Sequence, residues 1–160
     1  MPDALPPLDP LHPDQVKVAR AQAVINALLL LPAALGADAL LWRQGFVAPG
    51  VATLVWLLLA AWMIGPLPRR RTRAWGYRLD GDDLHVARGV WFRNRTLVPL
   101  HRVQHIDVSQ GPLQRRWRLG TLVVHTAGVA STNVPLPGLA HEHALAMRDA
   151  IRAQIREESA

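Results

Sequence analysis

"QHIDVSQGPLQRRWRLGTL", residues 104–122, decides the fold. It enters as an alternating run, breaks at Gly111-Pro112, passes a basic knot of Arg115, Arg116 and Arg118, and leaves toward a second apolar run. Alternation over several residues is the pattern of a half-buried strand. Glycine permits a sharp reversal, and proline suits the first turn of a helix. The stretch therefore predicts a strand, a turn, a short helical bridge and another strand. In that bridge Leu113 and Trp117, four apart, share one face and are expected to anchor it in a core. Gln114, Arg115 and Arg118 are expected to look outward.

More strands lie on either side. Upstream, "AWGYRL" and "LHVARG" flank Asp80-Gly81, a strong hairpin signal. "VWFRNRTLVPL" follows, with Pro99 as a strand end or edge, and then "HRVQHIDVS". Downstream, "TLVVHT" sits between Gly120 and Gly128, and the weaker "STNVPL" closes at Pro137-Gly138. The C-terminal stretch from about Ala140 to Glu158 carries Ala144, Met147, Ile151 and Ile155 at helical spacing. About six strands capped by one amphipathic helix predict an α+β sandwich or open barrel over residues 73–160.

The N-terminal half is a different material. Ala21–Trp42 and Phe46–Leu67 are each roughly 22 residues of apolar sequence, and about 20 helical residues span a bilayer. Neither has a polar face, so a transmembrane hairpin over residues 21–67 is expected, turning at Arg43-Gln44-Gly45. Asp38 is the costly residue in the first span, and it needs a place near the interface. Lys17 and Arg20 precede the pair, while Arg69, Arg70, Arg71 and Arg73 follow it. The positive-inside rule then puts both termini in the cytoplasm of a multi-pass inner-membrane protein. Residues 1–20, with five prolines, read as a flexible leader.

The run "VPLHRVQHIDVSQGPLQRRWRLGTLVVHTAG", then "PLPGL" and a terminal helix, resembles the bacterial PH-like family of YdbS-type membrane proteins. The resemblance covers nearly the whole chain. It rests most on Pro99, Arg102, Gln104, Gln110, Gly111, Pro112, Leu113 and Arg116. It implies a transmembrane hairpin joined to a pleckstrin-homology-like domain. One departure stands out: the family usually has aromatic-Gly-Leu where this chain has Trp117-Arg118-Leu119. Gly120 is expected to take over the special backbone conformation.

Catalytic patterns are missing from the sequence. There is no GxGxxG, P-loop, GxSxG or HExxH. Without cysteine there is no thiolate nucleophile and no Cys-built zinc site. His101, His105 and Asp107 lie on one strand-like run but lack a metal-ligand signature, and His141 and His143 do not share a helix face. Asp80, Asp82 and Asp83 read as turn chemistry. No enzymatic activity, metal or cofactor is expected. The net charge of +6 suits anionic lipid or an acidic protein face. Nucleic acid is not expected, because no aromatic platform accompanies the basic residues.

Two classes of function remain. One is a protein-binding or assembly module that meets another membrane protein or a second copy of this chain. The other is recognition of anionic lipid head groups by the juxtamembrane Arg69, Arg70, Arg71 and Arg73. A role as accessory subunit in envelope stress or export is a further alternative. Arg102, Arg115, Arg116 and Arg118 are the candidate binding residues, and Arg93 and Arg95 extend the same predicted patch.

Overall fold

The computed structural model describes residues 8–126 and 133–158. These form two units: one is residues 16–70, and the other combines the N-terminal residues through Gln15 with everything from Arg71 onward.

The first unit is a helical hairpin. Helices α1 (Gln15–Arg43) and α2 (Val51–Ile64) are followed by the short α3 (Pro66–Arg73). Two stretches, Gln15–Arg43 and Val51–Arg73, are long and apolar enough to cross a membrane. Leu28, Leu29 and Leu58 are more than half exposed, as expected of side chains that would face hydrocarbon. The break between α2 and α3 falls at Gly65-Pro66, where proline lacks the N–H that would continue the ladder.

The turn is longer than the sequence predicts. The second helix begins at Val51, not Phe46, because Pro49-Gly50 intervenes and Gly50 takes a left-handed φ of 90°. Asp38 explains how this turn holds. Its carboxylate accepts hydrogen bonds from the backbone N–H of Gly50 (2.8 Å) and of Ala52 (2.9 Å). These donors belong to the start of α2, where backbone N–H groups have no partner within the helix. A residue that looked like a burden on α1 is the N-terminal cap of α2.

The second unit is a sandwich of two antiparallel sheets. The first sheet has the order β1 (Asp9–Pro10), β2 (Gly76–Asp80), β3 (Asp83–Arg88), β4 (Asn94–Pro99). A 3-10 turn at Leu100–Arg102 then carries the chain across to the second sheet. That sheet has the order β5 (Val103–Ser109), β6 (Leu119–Thr126), β7 (Asn133–Ala140). Helix α4 (Pro112–Arg116) bridges β5 and β6, and α5 (His141–Glu158) follows β7. Alternate positions point into one shared core: Leu84 and Val86 from β3, Leu122 and Val124 from β6, Val134 and Leu136 from β7. Ala144, Met147 and Ile151 of α5 join it and Ile155 packs at its edge, so the helical stripe seals the sandwich as predicted.

Three expectations change. The leader is part of the domain from Leu8 onward: Asp9 and Pro10 pair with Tyr77 and Gly76, and Leu11 enters the core at 6% exposure. Composition concealed this because one apolar side chain and two strand positions suffice to dock a proline-rich segment on an open sheet edge. Burial, and secondarily the Asp9 carboxylate, raises the pKa of Tyr77 above its ordinary value. Next, the third predicted strand begins only at Asn94, since Val90–Phe92 form a loop. Finally, β7 runs through Pro137-Gly138 to Ala140. It is an edge strand, and Pro135 and Pro137, two apart, direct their missing donors to the same side of the strand. Residues 131 and 132 of that predicted strand lie outside the described residues.

Candidate functional site: the α4 bridge and its cleft

Gly111 precedes α4 in an extended conformation and Pro112 occupies the first turn. The Gln114 side-chain carbonyl accepts from Gly111 N–H at 2.9 Å, which satisfies a donor at the helix start. The amide end of the same side chain donates to Thr121 Oγ1 at 2.8 Å and pins the bridge to β6. Gln110 donates to the Leu119 carbonyl at 2.8 Å and ties the end of β5 to the start of β6. Gln114 therefore turns inward, contrary to expectation, because a half-buried amide can satisfy both of its ends there. Two glutamines flanking a Gly-Pro, three residues from the glycine on the far side, were the available signal for this clamp.

The exit from the bridge also departs from expectation. Arg118, not Gly120, adopts the left-handed conformation, at φ 53°. Its amide donates to the Arg115 carbonyl and its carbonyl accepts from His141 N–H at 2.9 Å, so the backbone contacts hold it there. Gly120 serves another need. A Cβ at that position would lie 3.3 Å from His141 Nδ1 and 3.5 Å from the Ser109 carbonyl oxygen, so glycine allows α5 to begin close against β6. A non-glycine residue held in the left-handed region is destabilised by about 1 kcal/mol or more. Arg118→Gly is therefore expected to raise the domain's stability by about 1 kcal/mol, read as a higher melting temperature of the detergent-solubilised chain. A lower melting temperature would mean that the Arg118 side chain contributes more than its backbone costs.

Leu113 and Trp117 are half-buried and stand outside the core cluster. The fully buried anchor of this region is Leu119, at 1% exposure. The reason is geometric. A helix of five residues ends before Trp117, and the left-handed Arg118 redirects the chain so that Leu119 enters the interior. Trp117 instead walls an open cleft of about 550 Å³ between the bridge and the start of α5. Arg115, Arg118, His141 and Glu142 line it, together with His12 and Asp14 from the docked N-terminal segment. His141 Nδ1 is buried with no hydrogen-bond partner among the described residues.

The predicted arginines do not form one patch. Arg115 and Arg118 share the cleft. Arg116 is exposed outside its lining, Arg102 sits exposed on the crossover turn, and Arg93 and Arg95 lie on and beside the β3–β4 loop. Arg69, Arg70, Arg71 and Arg73 are exposed on α3. Among the histidines, His105 and His125 both contact Asp107, at 2.8 and 3.2 Å, while His101 lies on the 3-10 turn. No cluster of three or more histidine, cysteine or acidic residues among the described residues is arranged to hold a metal.

Comparison with known proteins agrees with this architecture. A bacterial PH domain family model matches residues 26–155. The chain is 31% identical over 147 residues to the UPF0699 transmembrane protein YdbS of Bacillus subtilis (strain 168), covering 91% of each chain. It is 26% identical over 117 residues to the UPF0699 transmembrane protein YdbT of the same organism, covering 71% of this chain and 22% of that one. No solved structure matches significantly.

Proposed function

The chain belongs to the bacterial PH domain family, and we propose that it is a non-enzymatic inner-membrane protein whose PH-like domain is a protein-binding or assembly module. Its partner on this reading is another membrane protein or a second copy of the chain. The cleft beside α4 carries the proposal. It offers an indole wall from Trp117 and guanidinium groups from Arg115 and Arg118, residue types enriched at protein interfaces. It also contains the carboxylates of Asp14 and Glu142. A polyanionic head group would meet those carboxylates unfavourably, whereas a protein surface can match both signs.

Basic flanks at Lys17 and Arg20 and at Arg69–Arg73, against Arg43 alone in the turn, support cytoplasmic termini. A second reading rests on α3, whose four exposed arginines suit anionic lipid at about 1 kcal/mol each.

A photo-reactive residue replacing Arg115 in the full chain, expressed in its own membranes, tests the proposal. Discrete protein adducts are expected, and they should weaken when Arg118→Gln is added. Lipid adducts alone would favour head-group recognition, and no adduct would exclude the cleft as a binding surface. Reporters at Ala160 and within the turn at Gln44 should fall on opposite sides of the membrane, the former in the cytoplasm. Periplasmic reporting from Ala160 would reverse the orientation.

A further inference from the structure

Among the described residues, the sheet unit exposes large apolar side chains mainly at one place. Val90, Trp91 and Phe92 form the loop between β3 and β4, at 37%, 80% and 88% exposure. Single exposed apolar residues are ordinary on a soluble surface, but two adjacent aromatics this bare are not. The loop backbone is built for the shape. Gly89 has φ 120°, and a Cβ there would lie 1.8 Å from the Phe92 carbonyl oxygen. Only glycine lets the chain close this tightly behind the two aromatics.

Charge surrounds the tip. Arg88, Arg93 and Arg95 are all exposed, and residues 88–95 contain no acid. Register places the tip within the sheet: Gly76 pairs with Ala87, and Arg88 with Asn94. The loop therefore leaves the sheet at the end where β2 begins, two residues after α3 stops. Strand β1 runs antiparallel to β2 and reaches that same end at Pro10, a few residues before α1. Both connections to the apolar helices start from the end of the sheet that carries the tip.

We propose that the Val90–Phe92 loop is a membrane-docking wedge. It seats Trp91 and Phe92 in the interface of an anionic bilayer while Arg88, Arg93 and Arg95 meet lipid phosphates. The indole of Trp91 suits the head-group level, the apolar ring of Phe92 suits the acyl boundary just beneath it, and flanking arginines add attraction to a negative leaflet. Docking would hold the sheet unit against the bilayer in one orientation. This inference is independent of the cleft and stands or falls without it.

The chain has no cysteine, so single labels are straightforward. Full-length protein carrying a fluorophore at Val90→Cys, or at Ala153→Cys on the exposed side of α5 as control, is reconstituted in vesicles. The vesicles contain either equal parts phosphatidylglycerol and phosphatidylcholine or phosphatidylcholine alone. In the mixed vesicles the tip label should be quenched by doxyl-labelled lipid and shielded from iodide, and the control label should be neither. Trp91→Ser with Phe92→Ser should abolish the lipid quenching. Arg88→Gln with Arg93→Gln should lower the docked-to-undocked ratio roughly 25-fold, at about fivefold per charge. A tip label as open to iodide as the control would overturn the wedge. Shielding without lipid quenching would overturn it too, because protein would then cover the tip. Equal docking on phosphatidylcholine alone would overturn the anionic assignment.

Discussion

Leu122→Ala is expected to destabilise the sheet unit by about 2–5 kcal/mol, whereas Trp117→Ala should cost no more than about 2 kcal/mol. Leu122 is fully buried on β6, the central strand of its sheet, between Val108 on one neighbour and Leu136 on the other. Truncation there removes transfer free energy and leaves a cavity that strands on both sides prevent from closing. Trp117 is the larger side chain, but it is only half-buried and one face of it borders the cleft, so its surroundings can relax and solvent can enter. Hydrogen exchange of the β5–β7 amides in the detergent-solubilised full chain measures this. A loss of about 3 kcal/mol reads as roughly hundredfold faster exchange through global opening. If Trp117→Ala proved as damaging as Leu122→Ala, the bridge would belong to the core after all.

That contrast marks where the sequence was readable. Strands β2 to β7 and helix α5 were legible because alternation and three-to-four spacing report burial directly, as Leu84/Val86, Leu122/Val124 and Ala144/Met147/Ile151 do. The bridge was legible as an interruption but not in its side-chain directions. Helical spacing predicts Leu113 and Trp117 on one inward face, yet the helix ends after Arg116 and the backbone of Arg118 sets the next residue to be buried, Leu119. A left-handed arginine carries no local signal, since it is held by long-range hydrogen bonding of its carbonyl to His141.

The candidate site was half legible for a related reason. Charge and position in the sequence single out Arg102, Arg115, Arg116 and Arg118 alike as candidate binding residues, and nothing local tells that only Arg115 and Arg118 line the cleft. His12, Asp14 and His141 reach the cleft through tertiary docking of the N-terminal segment and the start of α5, which no local pattern encodes. The exposed Trp91-Phe92 pair falls inside a run that reads as one strand up to Pro99, and aromatic residues do nothing to break that pattern. Its meaning appears only once Gly89 is seen to fold the loop back and leave both rings outside.

In the membrane unit, Asp38→Ala is expected to destabilise the helical hairpin by about 2–4 kcal/mol. One carboxylate there accepts two backbone N–H groups, at Gly50 and Ala52, so a single truncation leaves both donors unmet. In water such donors would find solvent and the loss would be modest. Beside hydrocarbon they have fewer alternatives, and unpaired backbone groups are correspondingly costly. The carboxylate also places negative charge at the positive end of the α2 dipole. Asp38→Asn separates these contributions, since its single carbonyl oxygen retains one acceptor without the charge and should recover part of the loss. The prediction is tested by protease accessibility of the Gln44–Gly50 turn in reconstituted vesicles, alongside helicity measured during titration with a denaturing detergent. The expected order is wild type most resistant, Asp38→Asn intermediate and Asp38→Ala least. If Asp38→Ala matched wild type in both measurements, the carboxylate would not be capping α2 in the bilayer. The cost of an acid so near the membrane would then need a different explanation.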